Sequence, residues 1–184
     1  MSSCGGRYVL PRELSLSPAG TLLQHPVKET ELLRQGAVVQ GPHKLAAGSQ
    51  VEVLVECTVA NATALPSSGF VGIFTLISAE EAGAVQVGYD FGSKTGFASV
   101  PSNIGFNNTA RTDRTPPLLT ALEGPKIKLH IFVDGQIIES FFNGETTITT
   151  ATNSLVDTDA VTSSFMLSKG LGLDCEVSSW VLGL

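Results

Sequence analysis

The chain has 184 residues, of which 42% are hydrophobic and 15% charged, with a formal net charge of −6. This size and balance are typical of one folded domain with its own core, and they exclude a disordered segment. Lysine and arginine form no cluster and no apolar run approaches the roughly 18 residues of a membrane span, so we expect neither a nucleic acid nor a membrane as a partner.

The first clear strand runs from Val51 to Val59, where valines and a cysteine alternate with polar residues at a period of two. A second predicted strand, Phe70–Ile77, is apolar on both faces, and a third covers Ala84–Tyr89. Between them Ser78–Glu81 resembles a capping box, but Gly83 ends it after about one helical turn. No window has the spacing of a longer helix, so we predict an all-β fold.

The stretch LHIFVDGQIIESFFNGETTITT, Leu129–Thr150, predicts a three-stranded antiparallel meander. Asp134-Gly135 and Asn143-Gly144 are expected to form its two tight turns, because these residue pairs tolerate positive φ. The register that follows pairs Val133 with Gln136, Ile131 with Ile138 and His130 with Glu139, and then Phe142 with Glu145 and Phe141 with Thr146.

Two later segments, Ser163–Leu167 and Val177–Leu182, supply further strands. Short strands separated by turns at regular spacing predict a two-layer antiparallel β-sandwich of the lectin-like jelly-roll type. We expect residues 1–184 to form this single domain. Residues 1–9 are expected to be either a segment at a domain junction or an addition for expression.

The acids of the meander have structural explanations. Asp134 suits the first position of a turn. Glu139 is expected beside His130 as a cross-strand contact. A His–Glu pair is half of a metal site, but no second ligand lies at useful spacing. The pair Asp157 and Asp159 lacks the glycine and terminal glutamate of a calcium loop. We therefore predict no catalytic residue and no metal.

Two glycine-containing stretches come close to nucleotide-binding motifs. Gly88–Thr95 lacks the second glycine of a P-loop, and no helix follows it. Gly170-Leu-Gly172 lacks the third glycine of a dinucleotide fingerprint. Both are interpreted as turns, and we expect no cofactor.

Three cysteines, Cys4, Cys57 and Cys175, allow one bridge and leave one thiol, so the pairing and the compartment stay open. Asn61 and Asn107 begin glycosylation sequons that would matter if the parent protein is secreted. The start, MSSCGGRYVL, has no charged region followed by an apolar stretch, so we expect no signal peptide in this chain.

Several segments, in this order, resemble the C-terminal domain of glycoside hydrolase family 32, which contains invertases, inulinases and related β-fructofuranosidases. They are Leu10–Leu14, Gly20, Leu23–Val27, Glu31–Arg34, Gly88–Asp90, Asp113-Arg114, Phe132–Gly135, Ile138-Glu139, Phe142–Gly144 and Trp180. The resemblance spans about Leu10 to Leu182. One departure is Ser140, which stands where the family commonly has valine.

The resemblance implies a five-bladed catalytic propeller ahead of this domain. In the family, an aspartate of an Asn-Asp-Pro-Asn-Gly motif is the nucleophile, a glutamate of a Glu-Cys motif is the acid, and an Arg-Asp-Pro aspartate holds substrate hydroxyls. None of these can be assigned here. Glu56-Cys57 spells the second motif, but it follows Leu10–Leu14, whereas the family's acid precedes that segment, so we attribute it to chance.

This chain is thus expected to be the non-catalytic C-terminal domain of a protein that hydrolyses terminal β-fructofuranosides such as sucrose or fructans. Its expected partner is the propeller of the same parent, with Arg12 and Glu13 as interdomain contacts and with contacts between copies of the chain as a further role. The alternative is a free-standing, lectin-like carbohydrate-binding module. Such modules use exposed aromatic rings, which are scarce here: Trp180, Tyr8, Tyr89 and nine phenylalanines.

Overall fold

The computed structural model describes residues 9–41, 45–59, 65–76, 84–102, 110–118, 126–152, 162–168 and 171–183. Within these ranges no helix is long and apolar enough to cross a membrane. A short 3-10 helix, Lys28–Leu33, lies among strands that account for most of the described backbone. The strands are β1 (Arg12–Leu16), β2 (Leu22–Pro26), β3 (Arg34–Gln40), β4 (Gln50–Val59), β5 (Phe70–Leu76), β6 (Ala84–Asp90), β7 (Thr95–Val100), β8 (Arg111–Arg114), β9 (Lys126–Asp134), β10 (Ile137–Phe142), β11 (Thr146–Ala151), β12 (Thr162–Leu167) and β13 (Leu173–Leu182).

The strands form two large antiparallel sheets. One has six strands in the order β11-β10-β9-β4-β13-β3, and the other has five in the order β12-β5-β6-β7-β8. This architecture confirms the predicted all-β sandwich. A separate hairpin of β1 and β2 was not predicted as an element of its own.

The core lies between the two large sheets. Val51, Val53 and Val55 of β4 are fully buried, which confirms the face predicted from their alternation. Ile73 of β5 and Val87 of β6 belong to the same buried cluster from the opposite sheet. The sheets approach closely at Gly96, where a Cβ would lie 2.6 Å from a ring carbon of Phe142.

The predicted meander of β9, β10 and β11 is confirmed, but its first register was wrong. The ladder pairs Asp134 with Ile137, so Gly135 and Gln136 form the turn. Gly135 has φ +56° whereas Gln136 is not in the positive-φ region, a pattern that requires glycine at the first turn position only. Asp134 stays in the strand because it also pairs with Gln50, whose amide donates to its carboxylate at 3.0 Å.

The new register places His130 opposite Phe141 and Glu139 opposite Phe132. It differs from the predicted register by two residues, so each side chain keeps its predicted face. The expected contact between His130 and Glu139 nevertheless does not form, because the two residues do not lie opposite each other, and each contacts other partners.

The second turn was placed correctly, but the register after it was wrong by one residue. Asn143 and Gly144 both have positive φ, as a primed turn requires. The ladder then pairs Phe142 with Thr146, so Glu145 is an extra residue. A shift of one residue reverses the faces of β11. The turn is fixed from outside, since Gly144 accepts a hydrogen bond from the backbone N–H of Gln24 at 2.6 Å.

Cys57 and Cys175 form a disulfide across neighbouring strands β4 and β13, with their Cα atoms 4.1 Å apart. This settles the pairing that the sequence left open for these two thiols. Cys4 lies outside the described residues, as do Ser78–Glu81, Asn61, Asn107, Gly170, Asp157 and Asp159.

Candidate functional site

The outward face of the six-stranded sheet carries buried charged residues. On each of the central strands β4 and β10 a glutamate points away from the core, yet Glu52 is fully buried and Glu139 is only 2% exposed. An ionised carboxylate at such a position must be paired, since its desolvation is costly. Two arginines from the first part of the chain provide the pairing.

Arg12 at the start of β1 contacts Glu139. Its Nε lies 3.2 Å and its Nη2 2.5 Å from Glu139 Oε1. The other carboxylate oxygen accepts the backbone N–H of Leu10 at 2.8 Å. Arg12 Nη1 also donates to Gln24 of β2 at 3.1 Å within the hairpin and to Thr147 of β11 at 2.8 Å, and the second bond attaches the β1–β2 hairpin to the sheet. We call this set, Arg12 with Glu139, the hairpin clamp.

Arg34 at the start of β3 contacts Glu52 through two parallel hydrogen bonds, Nε to Oε2 at 2.7 Å and Nη2 to Oε1 at 2.6 Å. His130 Nε2 lies 2.6 Å from Glu52 Oε1 on the other side. The guanidinium stacks over the ring of Trp180 at 4.0 Å from its centroid. We call Arg34, Glu52 and His130 the central clamp.

The charges of the central clamp keep Glu52 ionised. Burial alone would raise the pKa of this carboxyl, but the hydrogen bonds and positive charge of Arg34 and His130 outweigh burial and hold the pKa below its ordinary value. Phe132 separates Glu52 from Glu139, because it pairs with both in adjacent ladders. Each acid is engaged by its own arginine, an arrangement of two ion pairs rather than of an acid and a nucleophile facing one substrate.

An apolar cleft of about 220 Å³ adjoins the hairpin clamp. Its lining is mostly aliphatic and aromatic, with Asp134, Gln50 and Glu139 as the polar contributors; the other residues are Val9, Leu10, Pro11, Leu33, Phe132, Ile137, Leu182 and Gly183. The residues that begin the described chain therefore form one wall of this cleft.

The β1–β2 hairpin exposes large apolar side chains. Leu14, Leu16 and Leu22 are 62%, 70% and 50% exposed. Arg12 is anchored in the sheet, whereas Leu14 and Leu16 on the same face of β1 are exposed, so the hairpin extends past the sheet. We call these three leucines the hairpin patch. Leu32, in the 3-10 helix that follows β2 in the chain, is 85% exposed.

The predicted site residues are partly brought together. Arg12, predicted as an interdomain contact, is a quarter exposed and bonds within the chain. Glu13 is exposed on the other face of β1, opposite His25. His130 was expected to contact Glu139, and that expectation was wrong because His130 contacts Glu52 instead. Among the described residues no three His, Cys, Asp or Glu side chains form a group that could hold a metal.

The central clamp was missed by sequence reasoning. Glu52 was noted only as a member of the polar face of its strand, and Arg34 only as part of the family resemblance. In this strand four valines and a cysteine alternate with mainly polar residues, a pattern that predicts a solvent-facing polar side, so the sequence carried no signal for a buried glutamate. Its partner could not be named, because Arg34 and Glu52 are separated by β13 in the sheet.

Comparisons with known families and with solved structures bear on the identity of this fold. Residues 20–166 match the sequence model described as "Glycosyl hydrolases family 32 C terminal". The chain belongs to this family. Among curated proteins no sequence matches it. The resemblance drawn from the motifs between Leu10 and Trp180 is therefore confirmed.

Solved structures of larger proteins contain the same fold as this family 32 domain. An exo-inulinase from Aspergillus awamori is 22% identical with a TM-score of 0.70, covering 95% of this chain and 35% of its own. A fructofuranosidase from Schwanniomyces occidentalis is 16% identical with a TM-score of 0.68, covering 96% and 40%. Fructan 1-exohydrolase IIa from Cichorium intybus is 20% identical with a TM-score of 0.56, covering 94% and 40%. This chain thus spans well under half the length of these proteins.

Proposed function

We propose that this chain is the non-catalytic C-terminal domain of a β-fructofuranosidase-like hydrolase, and that it supports a catalytic propeller in the same parent protein. The parent would hydrolyse terminal β-fructofuranosides such as sucrose or fructans. Family membership supports the parent class, and the neighbouring structures are fructosidases of about two and a half times this length.

The hairpin patch is the observation that carries the supporting role. Three leucines on one small hairpin are each at least half exposed to water, which is energetically unfavourable. Exposed apolar clusters of this kind mark contacts with another protein surface. The hairpin clamp holds this patch in a fixed position on the sandwich. A preformed apolar surface loses little conformational freedom when a second domain covers it.

The clamps support the non-catalytic role. Glycoside hydrolysis needs one carboxyl that can give a proton and one carboxylate free to attack or to activate water. Glu52 and Glu139, the two buried acids among the described residues, are both paired with arginines. Purified chain is therefore expected to release no fructose from sucrose or inulin, and sustained release that survives repurification would contradict this role.

The parent is tested on its coding sequence. Sequencing the transcript upstream of Met1 is expected to reveal an Asn-Asp-Pro-Asn-Gly segment in the same reading frame, and a transcript that starts at Met1 would contradict the proposed parent.

The supporting contact is tested with the double variant Leu14→Ser, Leu16→Ser. Both side chains are mostly solvated in the isolated domain, so its melting temperature should stay close to that of the wild type. In the longer protein the same change should lower the temperature of thermal inactivation by several degrees, because the patch is covered there. Val38→Ser on β3, 40% exposed and away from the hairpin, is the matched control. Equal inactivation of the double variant and the wild type would contradict the contact.

Contact between two copies of the chain was the second role expected from the sequence, and the hairpin patch is the surface on which to test it. Light scattering of the isolated domain distinguishes the cases. A monomer at high concentration fits a contact with the propeller, whereas a dimer that the double variant abolishes assigns the patch to self-association.

A lectin-like carbohydrate-binding module is the second candidate function. It is favoured by one observation, an open cleft on the opposite face of the sandwich that combines two phenylalanines with an aspartate and an arginine. Binding of an oligosaccharide by a chain with no propeller in its transcript would favour this function over the first.

A further inference from the structure

The solvent-facing side of the five-stranded sheet holds an open cleft of about 310 Å³, lined by Gly69, Phe70, Asp90, Phe97 and Arg114. Phe70 lies opposite Asp90 in the ladder of β5 and β6, and Phe97 lies opposite Arg114 in that of β7 and β8. Each side of the cleft therefore pairs an aromatic ring with a charged group. A volume of this size is at the lower end of the range for small-molecule sites.

The two phenylalanines give the cleft apolar walls. Phe70 is 39% exposed, a large apolar surface left in water. Phe97 is half-buried and lies over β6, where a Cβ on Gly88 would come within 3.2 Å of its ring. Glycine at position 88 thus lets the ring lie along the sheet instead of standing away from it. Aromatic faces of this kind pack against the C–H face of a flat or puckered ring.

Asp90 is a fixed, ionised carboxylate at the cleft. Its Oδ1 accepts the backbone N–H groups of Gly92 at 2.9 Å and Ser93 at 3.2 Å, which sets its orientation. Burial would raise the pKa of Asp90, but these two hydrogen bonds and Arg114 outweigh it and hold the pKa below its ordinary value. The carboxylate is therefore charged at neutral pH.

Arg114 completes the polar side. Its Nη1 lies 3.3 Å from Asp90 Oδ2 and 3.1 Å from the hydroxyl oxygens of both Ser93 and Thr95. The Asp90 and Arg114 side chains are 31% and 48% exposed, so this ion pair adds little to stability. A guanidinium has five N–H donors, and these contacts all use one nitrogen, which leaves donors for a ligand.

We propose that this cleft binds a neutral saccharide through one sugar ring. The C–H face of the sugar packs on the exposed ring of Phe70 and against the edge of Phe97, whose face lies under the Arg114 guanidinium carbon at 5.8 Å from its centroid. One sugar hydroxyl donates to Asp90, and a neighbouring hydroxyl accepts from Arg114. An anionic ligand would meet the Asp90 carboxylate, and a purely apolar ligand would cover that charge without pairing it. A polyhydroxylated ring satisfies both the rings and the charges.

A local role explains only part of this arrangement. Asp90 shapes the turn between β6 and β7, and Arg114 braces that turn, which accounts for Oδ1 of Asp90 and for the hydroxyl contacts. It does not account for the exposure of Phe70. The proposal gives a ligand site to the second candidate function, on which it rests, and it is independent of the supporting role, because the cleft lies on the opposite sheet from the hairpin patch.

The experiment follows backbone amide resonances of the full 184-residue chain during titration with three probes: a fructo-oligosaccharide of three to four residues, maltotriose and cellotriose. Saturable shifts that centre on Gly69, Phe70, Gly92 and Ser93 are expected with at least one probe. No shift with any of the three at tens of millimolar, or shifts centred on another surface, would overturn the proposal.

Variants then test the contacts. Asp90→Asn keeps the shape of the side chain but removes its charge, and Phe70→Ala removes one apolar wall. Each is expected to weaken binding about tenfold or more: Asp90→Asn because a hydrogen bond to a charged acceptor becomes one to a neutral acceptor, and Phe70→Ala because the ring contact is lost. Thr112→Ala, on the same exposed face at β8 but outside the lining, should leave the affinity unchanged. Melting temperatures confirm that each variant is folded, and equal affinity of folded Asp90→Asn, Phe70→Ala and wild type would overturn the proposal.

Discussion

Replacing Arg34 by methionine should destabilise the domain strongly, because it removes one partner of a carboxylate that is fully buried. Breaking a buried ion pair from one side costs about 3–5 kcal/mol. Arg34 is 22% exposed and Glu52 retains His130, so we expect the lower part of that range, about 3 kcal/mol. At this chain length that corresponds to a fall in melting temperature of about 6–12 °C.

Urea denaturation followed by far-ultraviolet circular dichroism measures this effect without relying on Trp180, which stacks on Arg34 and would change its fluorescence. The matched control is the double variant Arg34→Met, Glu52→Leu. It also removes the charge that Arg34 neutralises, and should recover much of the lost free energy of unfolding, as hydrophobic replacements of buried pairs often do. A loss below about 1 kcal/mol for Arg34→Met, or a double variant as unstable as the single one, would refute the reasoning about the central clamp.

Three further predictions concern the interior. Ser140 is fully buried, and its hydroxyl has no hydrogen-bond partner within the described part of the chain, so Ser140→Ala should stabilise the domain by about 1 kcal/mol. Ser179→Ala removes the hydrogen bond that its hydroxyl accepts from the N–H of Ala46 at 2.7 Å and should destabilise the domain by about 1 kcal/mol; equal effects of the two changes in chemical denaturation would contradict this. Burial, with smaller contributions from Glu145 and Asp90, raises the pKa of Tyr89 from 10.0 to about 12. The stability that this shift provides is complete below pH 10, so the free energy of unfolding should decline by about 2–3 kcal/mol as the pH rises to 12, and Tyr89→Phe should lack that part of the decline. The Cys57–Cys175 disulfide joins residues 118 apart in sequence, so the double variant Cys57→Ala, Cys175→Ala should lower the free energy of unfolding by about 2–5 kcal/mol in chemical denaturation. Cys4→Ser should change it little, and equal losses for the two variants would contradict the assigned pairing.

The sequence predicted the elements that rest on local pattern. The alternation of Val51–Val59 and the turn at Asn143-Gly144 depend on neighbouring residues alone, and both were confirmed. The first turn of the meander, predicted at Asp134-Gly135, forms one residue later at Gly135-Gln136. Registers were wrong because they depend on contacts outside the hairpin. The backbone N–H of Gly135 donates to Ser49 at 2.7 Å, and Gly144 is held by Gln24, so neighbouring segments choose where each turn begins.

The clamps could not be predicted because they depend on strand order. Arg34 reaches Glu52 across β13, a strand that lies more than a hundred residues later in the chain. Likewise Arg12 meets Glu139 only because the hairpin folds back over β10 and β11. Sequence spacing carries no information on either neighbour. Family resemblance marked both arginines as part of matching segments but did not say what they contact.

The two clamps also bear on why the proposed contact surface lies on the hairpin and not on the sheet. In a sandwich the outward face of a sheet normally meets water, and along each strand polar side chains on this face alternate with apolar side chains that point into the core. Here that face holds Phe132 and Phe141, each 2% exposed, beside the two buried glutamates. The first part of the chain covers them, with Arg12 lying over Phe141 and Arg34 over Trp180.

The β1–β2 hairpin therefore forms a third layer on the sandwich, whereas Arg34 begins β3 at the edge of the six-stranded sheet itself. Because the hairpin covers Glu139 and Phe141, a partner on this side would meet the exposed leucines of the hairpin patch. Removing the hairpin would expose aromatic surface and leave Glu139 without its arginine, and removing Arg34 would leave Glu52 without its own; each change is unfavourable. We therefore expect the folding unit of this family 32 domain to include Arg12 and Arg34, and the proposed contact surface follows from how the β1–β2 hairpin packs on the sheet beneath it.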